Sequence, residues 1–168
     1  ADDLLKGKSL YQILDSVFKR QKKTACLGIN WLIFGSSNLV EDPEDGVINA
    51  FTHCARDEFE WNQLVKSCVI PSKIVGWVNP HLPLQTFGYK KINLDGKKIV
   101  QPRNELPKKK KIRLYHYFVK NKKHFEEKVN KGMADRNAKR SMDEFYYYDK
   151  NDVINYKAIS VRDYILKK

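Results

Sequence analysis

The chain is poor in cysteine, in long apolar runs and in repeats, and each shortage removes a class of protein. Its three cysteines, Cys26, Cys54 and Cys68, are an odd set without CxxC spacing. Neither a disulfide framework nor a zinc site follows, and small buried side chains are expected instead. No apolar run approaches the roughly 18 residues that cross a bilayer. Ala1-Asp2-Asp3-Leu4 has neither the basic start nor the apolar stretch of a signal peptide, so the expectation is a cytoplasmic protein or a piece of one. No internal repeat or long linker is visible. What is present, 168 residues with 42% hydrophobic and 12% aromatic content, suits one ordinary core.

The formal net charge of +12 is uneven: residues 1–89 carry 9 Lys/Arg against 10 Asp/Glu, whereas residues 90–168 carry 23 against 10. Such a basic second half is expected to attract phosphates, whether on nucleic acid, anionic lipid or a nucleotide-linked sugar.

Ser9 with Gln12 has the form of a capping box, and Leu10, Ile13, Leu14, Val17 and Phe18 repeat at helical spacing after it. Ala25 to Phe34 is nearly continuous in apolar residues and predicts a strand buried on both faces, hence a covered, partly parallel sheet. The acidic stretch Glu41 to Gly46 predicts a turn, with extended structure resuming over 47–52. Strands are predicted at 64–70 and, as its neighbour, at 74–78, with an irregular loop at Asn79-Pro80-His81-Leu82-Pro83, a hairpin about Asp95-Gly96, and a strand over Ile112 to Phe118. Asn121 and Gly132 bracket a helix. Ser141 with Glu144 forms a second possible capping box, and Ser160 to Leu166 predicts a terminal helix.

Four segments then occur in a particular order: Asn30-Trp31-Leu32-Ile33-Phe34-Gly35-Ser36-Ser37, Val65-Lys66-Ser67-Cys68-Val69-Ile70-Pro71, Asn79-Pro80-His81 and His116-Tyr117-Phe118-Val119-Lys120. Gly132-Met133-Ala134-Asp135 ends the helix that follows. As an ordered set over residues 9–145 they resemble the glycosyltransferase family 2-like group that includes the family 92 relatives. The resemblance implies an α/β fold of the GT-A kind. In this chain that would be an incomplete, GT-A-like mixed sheet with flanking helices over residues 1–120, followed by a basic, helical carboxy-terminal extension over 121–168. Family members also carry an amino-terminal half with the nucleotide pocket and a strand ending in Asp-x-Asp-Glu-Phe, whose carboxylates hold a divalent metal, Mn or Mg, on the donor diphosphate. No strand here ends that way, and no apolar strand precedes Asp2 and Asp3. The implied protein is therefore the acceptor-side portion of a transferase, active at full length and inactive alone.

The resemblance also implies site residues. An inverting transferase needs a carboxylate to take the proton of the acceptor hydroxyl, and Asp57, Glu58 and Glu60 lie where GT-A enzymes often place that base. Asp57-Glu58-Phe59 repeats three letters of the metal motif, yet it follows the tryptophan strand and has Arg56 two before Glu58. His81, on its proline-constrained loop, is the candidate metal ligand or donor to the diphosphate, or else simply satisfies backbone groups of its loop. Trp31 is either core or a platform for a sugar ring. Ser36 and Ser37 would meet acceptor hydroxyls or simply form a loop. Lys66, His116 and Lys120 are candidates for substrate and phosphate contacts, against ordinary structural or solvated roles; His53 and His124 are expected on the surface. The implied partners are a nucleotide sugar and a glycan or lipid-linked acceptor, in surface polysaccharide or lipopolysaccharide synthesis. To these are added an anionic membrane surface meeting the basic tail on its cytoplasmic side, and a homodimer through an exposed sheet edge. A non-enzymatic nucleic-acid-binding module is the alternative, motivated by a pI near 9.5, the Lys108–Lys111 run and its interleaved aromatics.

Overall fold

The computed structural model describes residues 9–44, 46–108, 112–133 and 137–166. The readings placed on Ala1–Leu4, Asp45, Lys109–Lys111 and Ala134–Arg136 lie outside the described residues. In chain order the elements are α1 (Leu10–Arg20), β1 (Thr24–Ile33), α2 (Val47–Ala50), β2 (His53–Cys54), β3 (Val65–Val69), β4 (Ile74–Trp77), β5 (Pro83–Gln85), β6 (Lys90–Ile92), β7 (Leu114–His116), α3 (Lys122–Lys131), α4 (Met142–Tyr148), β8 (Val153–Ile154) and α5 (Tyr156–Leu166). The chain is thus mixed α/β. It divides into two compact units, Ala1–Trp31 with Phe59–Leu114, and Leu32–Glu58 with Tyr115–Lys168.

In the first unit β1 lies between β3, antiparallel, and β6, parallel, so the sheet is mixed. Leu27 pairs with Cys68 across one edge and with Ile92 across the other. The predicted two-sided burial holds along the strand. On one face Leu27, Ile29, Cys68 and Ile92 meet Leu14, Val17 and Phe18 of α1, whose capping box is formed by Ser9 and Gln12. On the other, Gly28 lets Ile99 approach so closely that an added Cβ would lie 2.4 Å from its Cδ1; Ile99 packs there with Val65 and Leu82. Asn30 is fully buried, and its amide donates to the carbonyls of Asn62, Gln63 and Asn104 at 3.4, 3.1 and 3.2 Å. A polar group withdrawn from water needs such partners, and here they tie two loops to the strand.

The second unit is built on aromatic rings. Leu32, Phe34, Cys54 and Ala158 pack with Tyr115 and Tyr117, and the Phe34 ring lies 4.8 and 4.7 Å from the rings of those tyrosines. A second cluster joins Val119, Phe125 and Phe145. Asn121 caps α3 as predicted, accepting from His124 N at 2.7 Å, and Gly132 closes the helix at φ 74°.

Several expectations are corrected. Residues 47–50 form a helical turn rather than a strand. β4 pairs with β5, not with the 65–69 segment, and Pro83 opens β5, a position where its missing donor costs nothing. Ser141 stands at the start of α4 without capping it, because its hydroxyl bonds Asp143 while Glu144 pairs with Arg140 at 2.7 Å. The terminal helix starts at Tyr156, where Asn155 Oδ1 accepts from Ala158 N. His53, expected on the surface, is half-buried in β2. Among the described residues no helix is long and apolar enough to cross a membrane.

Two measurements probe these cores. An added Cβ at Gly35 would meet the Lys150 carbonyl oxygen at 2.6 Å and Asn151 Oδ1 at 2.4 Å, so backbone must move. Gly35→Ala is expected to lower stability by about 2 kcal/mol or more and Gly28→Ala by about 1 kcal/mol, since there the atom in the way is the end of a side chain, Ile99 Cδ1, and not backbone; urea midpoints decide the order. Burial, then Tyr115 and Cys54, pushes the Tyr117 hydroxyl up to about 12. The native state therefore keeps a proton that an unfolded tyrosine releases near pH 10, and stability falls as pH rises from about 10 to about 12. Urea midpoints across that window should fall less steeply in Tyr117→Phe.

Candidate functional site

In the first unit, three of the predicted residues come together at the carboxyl end of β1. Trp31 is 8% exposed. Its ring centroid lies 5.3 Å from that of His81, the planes tilted by 49°, and Lys66 Nζ stands 5.9 Å over the indole. The Trp31 backbone N–H donates to the Leu64 carbonyl at 2.8 Å, and its backbone carbonyl accepts from Arg113 Nε at 2.9 Å and from Nη2.

The loop carrying His81 is locked locally and from outside. Asn79 Oδ1 accepts from the amides of His81 and Leu82 at 2.9 and 3.0 Å, the turn that an Asx side chain makes with its own downstream backbone. The His81 carbonyl accepts from the Ser67 hydroxyl at 2.5 Å, and the Pro80 carbonyl accepts from Lys66 Nζ at 3.1 Å. The Ser67 oxygen in turn receives the Cys26 thiol at 3.1 Å, and burial pushes that thiol up so that it stays protonated. Leu82 closes the loop by packing beside Val65.

This locking sets the chemistry of the imidazole. His81 Nδ1 is 2.8 Å from the Val65 carbonyl, which only accepts, so Nδ1 carries the hydrogen and Nε2 carries the lone pair. A carbonyl on one ring nitrogen is the usual support for a histidine whose other nitrogen ligates or takes a proton. Lys66 has three ammonium hydrogens, one of them directed at Pro80. The arrangement offers one neutral acceptor and one cation beside an aromatic wall. For a resident Mn or Mg ion this donor set does not suffice: hard divalent cations want several oxygens, and the neighbour of His81 is an ammonium. Among the described residues no group of three or more His, Cys, Asp or Glu is placed to hold a metal.

The other predicted residues are distributed as follows. Glu60 is in the first unit and pairs with Arg103 at 2.9 Å, with both side chains largely exposed; Arg103 also lies 5.2 Å over Trp61. Ser36, Ser37, Asp57, Glu58, His116 and Lys120 are in the second unit. Ser36 gives its amide and hydroxyl to the two oxygens of Asp149 at 2.6 and 3.0 Å. Ser37 gives its amide to Asn151 at 2.7 Å, and its hydroxyl oxygen accepts from the amides of Thr52 and His53. Ser37 and Asn38 sit at φ 52° and 63°, a region costly for residues with a side chain and kept only where neighbours hold it. Asp149 and Asn151 are those neighbours. The His116 carbonyl accepts from Phe34 N, and its ring stacks on Phe118 at 5.9 Å. Lys120 takes φ 54° just before the Asn121 cap. Asp57 is half-buried and Glu58 exposed, in one turn.

The units also redistribute the charge. Over described residues the first unit holds 13 Lys/Arg against 4 Asp/Glu, and the second 11 against 12. The positive excess therefore lies in the first unit, and the carboxy-terminal helices are matched: Lys123 pairs with Glu41 at 2.6 Å and Arg140 with Glu144. Lys128 is half-buried over Phe118, where burial first and Arg140 second lower its affinity for a proton. Reading the chain linearly missed Arg113, Asn79, Asp149 and Asn151, whose partners are distant or whose roles are positional. Only Asn79, an Asx residue ahead of a proline loop, carries a local signal.

No protein-family model, no curated protein and no solved structure matches this chain. The geometry is testable by itself. Nitrogen-15 NMR of the imidazoles should show His81 as the Nδ1–H tautomer, and Asn79→Ala, which strips the acceptor from two amides, should mix the tautomers and cost about 1–2 kcal/mol.

Proposed function

We propose that this chain is the acceptor-side part of a glycosyltransferase of the GT-A kind, moving a sugar from a nucleotide-diphosphate donor to a hydroxyl acceptor. One observation carries the reading. Trp31, Lys66 and His81 come from three separate segments of the family-like set, and they surround a single indole. Both groups also bond backbone carbonyls, His81 that of Val65 and Lys66 that of Pro80, and the reading assigns Nε2 and the other ammonium hydrogens to substrate.

In this reading His81 Nε2 accepts a hydrogen bond from the acceptor hydroxyl and draws its proton as the oxygen attacks the anomeric carbon. Lys66, a point charge with hydrogens to spare, meets phosphate oxygens of the donor. Asn79, Val65 and Ser67 keep the imidazole in one orientation, as a base on a surface loop requires. Glu60 is occupied by Arg103, so within the first unit the role of base passes from the carboxylate to the histidine. Asp57 and Glu58 remain the carboxylate candidates of the second unit. Any Mn or Mg on the donor would depend on carboxylates beyond those described, and no step here runs through it.

The basic first unit also favours a second reading, a nucleic-acid-binding module. Transfer of labelled sugar from a panel of nucleotide sugars by the full-length protein separates the two. His81→Ala is expected to lower kcat about 100-fold or more, and Lys66→Ala to act mainly on the KM of the donor. Undiminished transfer by His81→Ala, or no transfer by the full-length protein together with salt-sensitive oligonucleotide binding, would falsify the transferase reading.

A further inference from the structure

The stretch from Lys73 to Lys91 combines two properties that the fold of the first unit does not use. Val75, Trp77, Val78, Leu84 and Phe87 are all exposed; Val75 is 69%, Trp77 54% and Phe87 102% accessible. Trp77, opposite Pro83, and Leu84, opposite Gly76, project from the two faces of the ribbon, so this small element exposes large apolar side chains on both sides, a feature that marks an interaction surface. The element is short: β4 has four residues, about 13 Å of strand, and it is closed by Thr86 N–H donating to the Lys73 carbonyl at 2.9 Å. Phe87 follows at the tip of a turn made by Tyr89 N–H and the Thr86 carbonyl.

The second property is charge. No Asp or Glu occurs between Glu60 and Asp95, while Lys66, Lys73, Lys90 and Lys91 do. Lys73 Nζ lies 5.0 Å over the Tyr89 ring, Lys91 Nζ donates to the Pro83 carbonyl and Lys66 Nζ to that of Pro80. Lys90 N–H donates to the carbonyl of Lys23, which is itself exposed beside Lys22. Lys66 and Lys91 thus reach the loop end of the hairpin and Lys73 stands at its open end, so cations flank the apolar residues at both ends.

We infer that the β4–β5 hairpin is a docking surface for an anionic lipid bilayer, its exposed valines, Leu84, Trp77 and Phe87 entering the interface while the lysines meet the head groups. Tryptophan and phenylalanine suit that boundary, and aliphatic side chains gain from hydrocarbon. A phosphate backbone satisfies the lysines but leaves Val75, Val78 and Leu84 in water. A second copy carries the same excess of lysines and so no acidic partner for them on this stretch. The surface stands on its own observations and does not depend on the transferase reading.

The experiment is co-sedimentation of the chain with vesicles of phosphatidylcholine, alone or with phosphatidylserine. Binding is expected with phosphatidylserine only, weakening as salt is raised. Trp77→Ser with Phe87→Ser should weaken it about tenfold or more. Lys73→Gln with Lys90→Gln should weaken it about fivefold per lysine. Lys122→Gln with Lys139→Gln, on the charge-matched second unit, should leave it unchanged. Trp77, Phe87 and Lys139 are exposed and Lys73, Lys90 and Lys122 half-buried, and unchanged urea midpoints check that the variants fold. The inference is overturned by absent vesicle binding, or by binding that survives both hairpin variants or is lost in the second-unit variant. Oligonucleotide binding or dimerisation that the hairpin variants abolish, with no vesicle binding, would also overturn it by assigning the face to nucleic acid or to a second copy.

Discussion

A strand without a solvent face obliges the chain around it, and β1 is such a strand. Both of its edges must find hydrogen-bonding partners and both of its faces must find side chains, because a buried backbone or side-chain polar group left alone costs more than its bond would contribute. Within the first unit those obligations place β3 and β6 at the edges, α1 on one face and the segment around Ile99 on the other. Asn30 adds a polar obligation, met at its amide nitrogen by three carbonyls from two loops. One of those loops leads straight into Leu64, Val65 and Lys66, so the position of the candidate site is inherited from the burial of the strand.

The site follows from that inheritance in short steps. Leu64 accepts from Trp31, Val65 accepts from His81 Nδ1, and Lys66 and Ser67 donate to the two carbonyls of the Pro80-His81 pair. Four consecutive residues thereby hold one wall and one loop. The tautomer of His81 is a consequence of this backbone arrangement and not of any charge nearby. In the second unit a comparable economy holds the strained Ser36–Asn38 turn, through Asp149 and Asn151.

The distribution of charge changes what the protein is able to meet. A linear count places the excess in the second half of the sequence, because Lys and Arg are dense after residue 90. The chain, however, passes between the units at 31, 58 and 114, and the acidic residues near 41–44 join the unit that contains the basic helices. Neutralisation there is local, as with Glu41 and Lys123. The uncompensated lysines lie with the hairpin and its exposed rings.

Local signals determined much of the secondary structure by themselves. The capping box at Ser9, the apolar run of β1, the turn at Gly96 and the Asn121 to Gly132 bracket each depend on residues within one turn or one strand, where propensity and periodicity act directly. Tertiary structure decided what depends on residues far apart in the chain. It divided the charge between units and set the Nδ1 of His81 against the Val65 carbonyl. The partners that made those decisions, Glu41 for Lys123 and the Val65 carbonyl for His81, become neighbours only after the chain has folded.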